Sequence, residues 1–309
     1  MIVNHANLAN FFTGLSTQFR LGYSEAPTQW QELATTLPSN TESLQMAWLG
    51  LSPQVRRWLG DRVIQSIGSH KYSIENLSWE LTLAAERDKL EDDLHGIYSP
   101  IAQRMGEVAK QHMDRLVFTL INEGDSATYT DDETGEVYDI RGYDGQPMFS
   151  ASHPGPDGVQ SNMSPSGSST PWYLASITSR VFRPVFVSDR EAGKFVSKQS
   201  LTDDEVFHRK RFLFGWDARY NAKFGAWQQM YRSTEELDAE HLEEAITAMR
   251  GIRNENGTPS NWKATHIIVP PSMEFTAERL FSQAVLTGGE SNIHVGRLKV
   301  IVSPWLDDA

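Results

Sequence analysis

Apolar positions recur along this chain with two different periods. Leu8, Phe11, Phe12, Leu15 and Phe19 lie three and four residues apart, which predicts an amphipathic helix over residues 5–20. That helix can dock on the core of its own subunit or lie as an arm on a neighbour. Between 77 and 85 the period becomes two: Leu77, Trp79, Leu81, Leu83 and Ala85 face one way, Ser78, Glu80, Thr82 and Glu86 the other. This alternation predicts a half-buried strand. Ser99 and Pro100 then read as an N-cap and a first helical residue, followed at helical steps by Ile101, Met105, Val108, His112, Leu116 and Leu120, with Gly124 as the stop. A helix of about 24 residues would run ~36 Å.

Residues 123–170 lose this periodicity and are rich in Gly, Ser, Asp, Pro and Asn, which predicts surface loop. Within them TYT and EVYDI read as the arms of a small exposed hairpin around the acidic turn DDETG. Strands are expected at 172–177 and 181–187. From 212 to 226 every even position is apolar: Phe212, Phe214, Trp216, Ala218, Tyr220, Ala222, Phe224 and Ala226, with Asp217, Arg219, Asn221 and Lys223 between them. A helical template collects only Trp216, Tyr220, Phe224, Trp227 and Tyr231, so the fuller alternation predicts a long strand, bent or bulged at Gly215 and Gly225. One face would pack the subunit's interior and the other, with Asp217, Arg219 and Lys223, would meet solvent or the next subunit. Asp238 then caps a helix facing inward through Leu242, Ala245, Ile246, Met249 and Ile252 and stopping near Gly251. A strand at 265–269, a break at Pro270-Pro271, a helix with Met273, Ala277, Leu280 and Phe281 inward, and a last strand at 298–302 complete the pattern. The fold class is α+β.

A chain of 309 residues can bury a sizeable core, and its 39% hydrophobic and 22% charged residues exclude wholesale disorder. The lack of cysteine excludes disulfides, thiol nucleophiles and thiolate metal sites. A net charge of -12 argues against gripping phosphate backbones, which draws on Lys and Arg. The start has no signal-like pattern, and no apolar run approaches the ~18 residues needed to span a membrane.

Candidate chemistry is sparse. GxGxxG, GxxxxGK[ST], GxSxG and HExxH are all absent. The histidines at 5, 70, 95, 112, 153, 208, 241, 266 and 294 include no pair at i, i+3 or i, i+4 that could present two imidazoles to a metal. The triplets Glu91-Asp92-Asp93 and Asp203-Asp204-Glu205 lack calcium-loop spacing and read as solvated loop charge. The βα turn at 265–281 lacks the glycines of a phosphate nest. No catalytic, cofactor-binding or metal-binding residue is expected, and the chain is not expected to be an enzyme. A soluble α/β hydrolase or transferase with an unrecognised site is the alternative from another class.

Nine short motifs in order carry a resemblance over nearly the whole chain: the start MIV with its helix, EAPTQWQELA at 25–34, the two WLG copies with WLGDR ending at 62, DDLHGIYSPI at 92–101, YDGQPMFSASHP at 143–154, PWYL at 171–174, RPVFVSDR at 183–190, FLFGWDARYNAKFGAWQ at 212–228 and THIIVPPSMEFTAERL at 265–280. The chain resembles the major head subunits of Mu-like phages and prophages, the T-protein family. The resemblance implies an HK97-like major capsid fold: an N-terminal arm at 1–30, an extended loop and returning strand at 31–97, a peripheral domain with a long spine helix at 98–233, and a mainly axial domain with a closing strand at 234–309. The hairpin around 128–140 is longer than that family leads one to expect.

The implied function is a structural subunit that self-assembles, as hexamers and pentamers, into an icosahedral shell around phage DNA without binding it specifically. A cargo-enclosing shell of the same fold is the related alternative. Implied partners are other copies of the chain, a scaffold or protease, a portal and decoration proteins; no cofactor and no membrane are implied. The implied location is the virion head, assembled in the bacterial host cytoplasm. Candidate subunit contacts are Phe11, Phe12, Trp48, Trp58, Arg62, Asp92, Asp93, Asp217, Arg219 and Lys223.

Overall fold

A computed structural model describes residues 5–46, 49, 55, 57, 72–92, 96–131, 134–179, 181–284 and 291–307. In chain order its elements are α1 (His5–Glu25), α2 (Trp30–Leu33), β1 (Ala34–Pro38), β2 (Ser43–Gln45), β3 (Ser73–Glu75), β4 (Leu77–Glu86), α3 (Arg87–Glu91) and α4 (Tyr98–Asn122). There follow β5 (Thr128–Thr130), β6 (Val137–Asp139), β7 (His153–Gly155), β8 (Gly158–Gln160), β9 (Met163–Gly167), β10 (Trp172–Ala175), β11 (Val185–Lys198), α5 (Asp204–Arg209) and β12 (Arg211–Phe224). The chain closes through β13 (Met230–Thr234), α6 (Ala239–Gly251), β14 (His266–Val269), α7 (Glu274–Ser282) and β15 (Lys299–Val302).

The alternation at 212–226 builds the centre of the first sheet, whose strand order is β1-β11-β12-β4. Phe212, Phe214, Trp216, Ala218, Tyr220, Ala222 and Phe224 are all buried. Two expectations need correction. Gly215 pairs regularly with Thr82 and Val196, and the bulges lie instead in β11, on either side of Glu191. Gly215 serves close approach: a β-carbon there would stand 3.0 Å from the Leu81 carbonyl oxygen. The strand also stops at Phe224; the Gly225 N–H still donates to the Pro184 carbonyl at 2.6 Å, in register with β11, before the chain turns at Trp227. Residues 230–234 then enter the second sheet, ordered β15-β14-β10-β13-β9, so the aromatic stretch links both sheets.

α6 and α7 cover the second sheet through Leu242, Ile246, Met249, Ala277 and Leu280. Asp238 caps α6 as expected, its carboxylate accepting the His241 backbone N–H at 2.9 Å. One buried cluster joins the two sheets: Val185, Phe186 and Phe224 of the first, Tyr173, Ile268 and Ile301 of the second, and Val117, Phe118 and Ile121 of α4.

α4 departs from expectation at both its start and its face. It begins at Tyr98, not at a Ser99 cap; the Ser99 N–H donates to the Gly96 carbonyl, and Pro100 falls in the first turn, where no helical bond is lost. Its buried stripe runs through Tyr98, Ala102, Met105, Gly106 and Ala109, whereas Ile101 and Val108 are 41% and 42% exposed. The small residues win that face because α1 packs so closely that a β-carbon at Gly106 would collide with the Phe19 carbonyl, and one at Gly22 with that of Gln103.

Other local readings also shift. The expected strand at 181–187 begins only at Val185, after a turn in which the Ser179 hydroxyl accepts the Val181 and Phe182 N–H groups, and it runs on to Lys198. The supposed loop at 123–170 contains the expected hairpin, with Tyr129 opposite Tyr138, but also β7 to β9 and buried Tyr143, Met148, Phe149 and His153. Within the acidic triplet at 203–205, Glu205 pairs with Arg211 at 2.8 Å at the foot of β12.

Candidate assembly interface

β4 forms one edge of the first sheet, and its helix-facing residues are only half covered: Leu77, Trp79, Leu81 and Leu83 are intermediate in burial, and only Ala85 is buried. α4 leaves a gap beside them. Leu81 and Leu83 face Pro100, Ile101, Met105 and Val108 across an apolar groove of about 380 Å³. The groove continues, through the shared Leu81 and Val108, into a cleft of about 600 Å³ whose walls include Trp79, His112, Arg115, Tyr129, Tyr138 and Lys223. Thus Ile101 and Val108 of the helical stripe read from the sequence line this surface, whereas Met105 and Leu120 of the same stripe are buried and His112 is half-buried.

In the cleft His112 joins the helix to the sheet. Its ring packs on Trp79 with centroids 4.4 Å apart, and its Nδ1 lies 2.7 Å from the Tyr220 hydroxyl. Burial pushes the Tyr220 phenol far above its usual range, so the hydroxyl stays neutral, and the imidazole tautomer sets which of the two groups donates. Burial, helped by Arg115, lowers His112 to about 4 and keeps it neutral at pH 7. Trp79 adds a bond from Nε1 to the Tyr220 carbonyl at 2.9 Å.

The residues singled out from sequence do not converge on one surface. Phe11 is partly buried and packs edge-on to Phe12 and Tyr98; Phe12 is 3% exposed and belongs to the subunit's own core, so the helix docks within its own chain. Trp48, Trp58, Arg62 and Asp93 lie outside the described residues. Asp92 is exposed after α3. Asp217 approaches Lys194 at 3.5 Å on the outer face of the sheet. Arg219 stands between Ser78 and Glu191 of the flanking strands, its Nε buried without a hydrogen-bond partner. Lys223 does not reach outward: it lies over the Tyr72 ring at 4.6 Å, and burial lowers its pKa.

A second polar feature was not expected. His153, fully buried, meets Asp144 at 2.6 Å through Nδ1, stacks on Trp227 at 4.0 Å, and places Nε2 3.1 Å from Asn162. Asn162 in turn donates to the Met148 carbonyl at 2.7 Å. This network ties the 144–162 segment to the core and opens on no cavity described above. Among the described residues no group of three His, Asp or Glu is placed to hold a metal, and no helix is long and apolar enough to cross a membrane.

The arrangement of a long helix on one sheet beside a second helix-covered sheet is of the HK97-like capsid class, as superposition on a solved phage capsid chain shows. A chain of the bacteriophage JBD30 procapsid superposes with a TM-score of 0.80 at 29% identity, covering 98% of this chain and 100% of that one. A chain from the JBD30 capsid decorated with minor capsid protein trimers gives 0.74 at 24% identity, covering 91% of each. The model of the family described as Mu-like prophage major head subunit gpT matches residues 8–306, and the chain belongs to that family. The major capsid protein of Escherichia phage Mu is 33% identical over 99% of this chain and 100% of its own length. The Mu-like prophage FluMu major head subunit of Haemophilus influenzae is 33% identical over 96% of each. The chain is accordingly a major head subunit, a structural shell protein.

Proposed function

We propose that copies of this chain close into an icosahedral head, as hexamers and pentamers, around phage DNA that they do not bind specifically. The observation that carries the reading is the apolar groove along α4 and the edge of β4, unpaired among the described residues. An edge strand with half-covered apolar side chains is a ready template for another chain, and in the shell a neighbouring copy covers it. α1 belongs to the arm at 1–30, β1 to β4 to the extended loop and returning strand at 31–97, α4 to the peripheral domain at 98–233 as its spine, and α6 and α7 to the axial part at 234–309. The role is mechanical and asks for no catalysis. A scaffold or protease and a portal act with the chain during assembly in the host cytoplasm, and decoration proteins bind the finished virion head.

Electron microscopy of the full chain expressed with its scaffold tests this. Closed shells of uniform diameter are expected; monomers that persist despite the scaffold would overturn it.

A further inference from the structure

α2 has only four residues, too few for a helix to hold itself, yet it is tied on two sides. Its entry is capped from a distance: Asp114 of α4 accepts the Gln29 N–H at 2.9 Å and the Trp30 N–H at 2.7 Å. Asp114 is 8% exposed, an acid set in the buried stripe of the long helix. On the opposite side Glu32 receives Lys299 Nζ of β15 at 2.6 Å on both carboxylate oxygens, and His266 Nε2 of β14 stands 3.6 Å away. Arg183, just before β11, donates to the Gln31 carbonyl. Leu33 is fully buried, and the next residue, Ala34, opens β1 opposite Val185. One helical turn thus touches the spine helix, the second sheet and the first sheet at the place where the chain leaves α1 for β1 and the β2–β3 pair.

Core packing alone does not ask for these groups. Burying the Asp114 carboxylate is costly and is repaid only through the backbone N–H groups it receives. The Glu32–Lys299 pair is half exposed, and such pairs add little to stability. Both instead fix a direction. We propose that α2 is a positioning device for assembly, in which Asp114 and Glu32 set where β1 enters the first sheet beside β11 and, through it, where the β2–β3 pair seats on the core. The inference rests on the reading of the chain as a shell subunit and adds to it the residues that seat the segment from α1 to β3.

The lack of cysteine allows direct labelling. Glu42→Cys, between β1 and β2, and Glu278→Cys, on α7, are both exposed positions for spin labels on the unassembled full chain. One narrow distance is expected in the labelled parent, and its loss to a broad distribution in Asp114→Ala and in Glu32→Gln. The same substitutions, without labels, should cost the shells their uniform diameter. Should Asp114→Ala fail to fold, Glu32→Gln decides, because a merely structural role for a half-exposed pair predicts no change in either readout. Parental distances in the folded variants, or parental shell diameters despite broadened distances, would overturn the proposal. Failure of the unsubstituted chain to form shells would instead count against the shell reading, while the distances still decide whether α2 aims β1.

Discussion

Gly106 of α4 lies directly beneath the Phe19 carbonyl of α1, with no room between them for a β-carbon. Gly22 of α1 meets the Gln103 carbonyl of α4 in the same way, so each helix presents a glycine to the other's backbone. Gly106→Ala should therefore force the helices apart although alanine favours helix. A loss of about 1–3 kcal/mol is expected from overpacking, read as a lower urea midpoint at unchanged m-value. An unchanged midpoint would mean that the helices slide freely.

The groove makes the opposite prediction. Val108 is 42% exposed, so Val108→Glu should alter subunit stability by no more than about 0.5 kcal/mol. Shell formation should nevertheless fail, because a carboxylate would be buried against Leu81 of the same chain and a covering neighbour. Thermal melting and sedimentation of the same sample separate the two effects.

Reversal of Arg219 sets Glu beside Glu191 of β11. Like charges opposite one another in a sheet cost roughly 0.2–1 kcal/mol, too little to unfold the subunit, so Arg219→Glu should impair assembly more than folding. If circular dichroism instead shows the isolated variant unfolded, the buried part of the Arg219 side chain belongs to the core.

His112 gives a pH signature. Its value falls from 6.5 to about 4 on folding, so between those limits the unfolded chain binds more protons than the folded one. Stability from this group is complete above pH 6.5 and is lost as the pH falls towards 4. The loss amounts to at most about 3 kcal/mol, since the ring is partly open to the cleft. Urea unfolding of His112→Gln across this window should show a shallower slope than the parent; an equal slope would assign the titration elsewhere.

Much of this was legible in the chain. Alternation placed β4 and β12, Asp238 announced α6, and the motifs identified the family. What escaped depends on distance and partner choice. A stripe of large residues on α4 suggested the core face, but close helix packing favoured Ala102, Gly106 and Ala109, which no hydrophobicity pattern ranks first. Asp114 left a trace as a lone acid beside Val117 and Phe118, though nothing local shows that its partners lie 84 and 85 residues away. Lys223 fits the polar side of an alternating strand, yet Tyr72 draws it back across the sheet edge.

The β5–β6 hairpin has a use of its own. Its stem is closed by Thr130 opposite Val137, and Asp131 receives the Thr134 N–H at 2.8 Å, so the turn is secured below its tip. Lengthening an exposed turn costs little closure entropy. Foreign peptides spliced between Asp131 and Glu136 should be carried without disturbing α4 or either sheet, which makes this turn a graft point repeated once in every copy of the subunit.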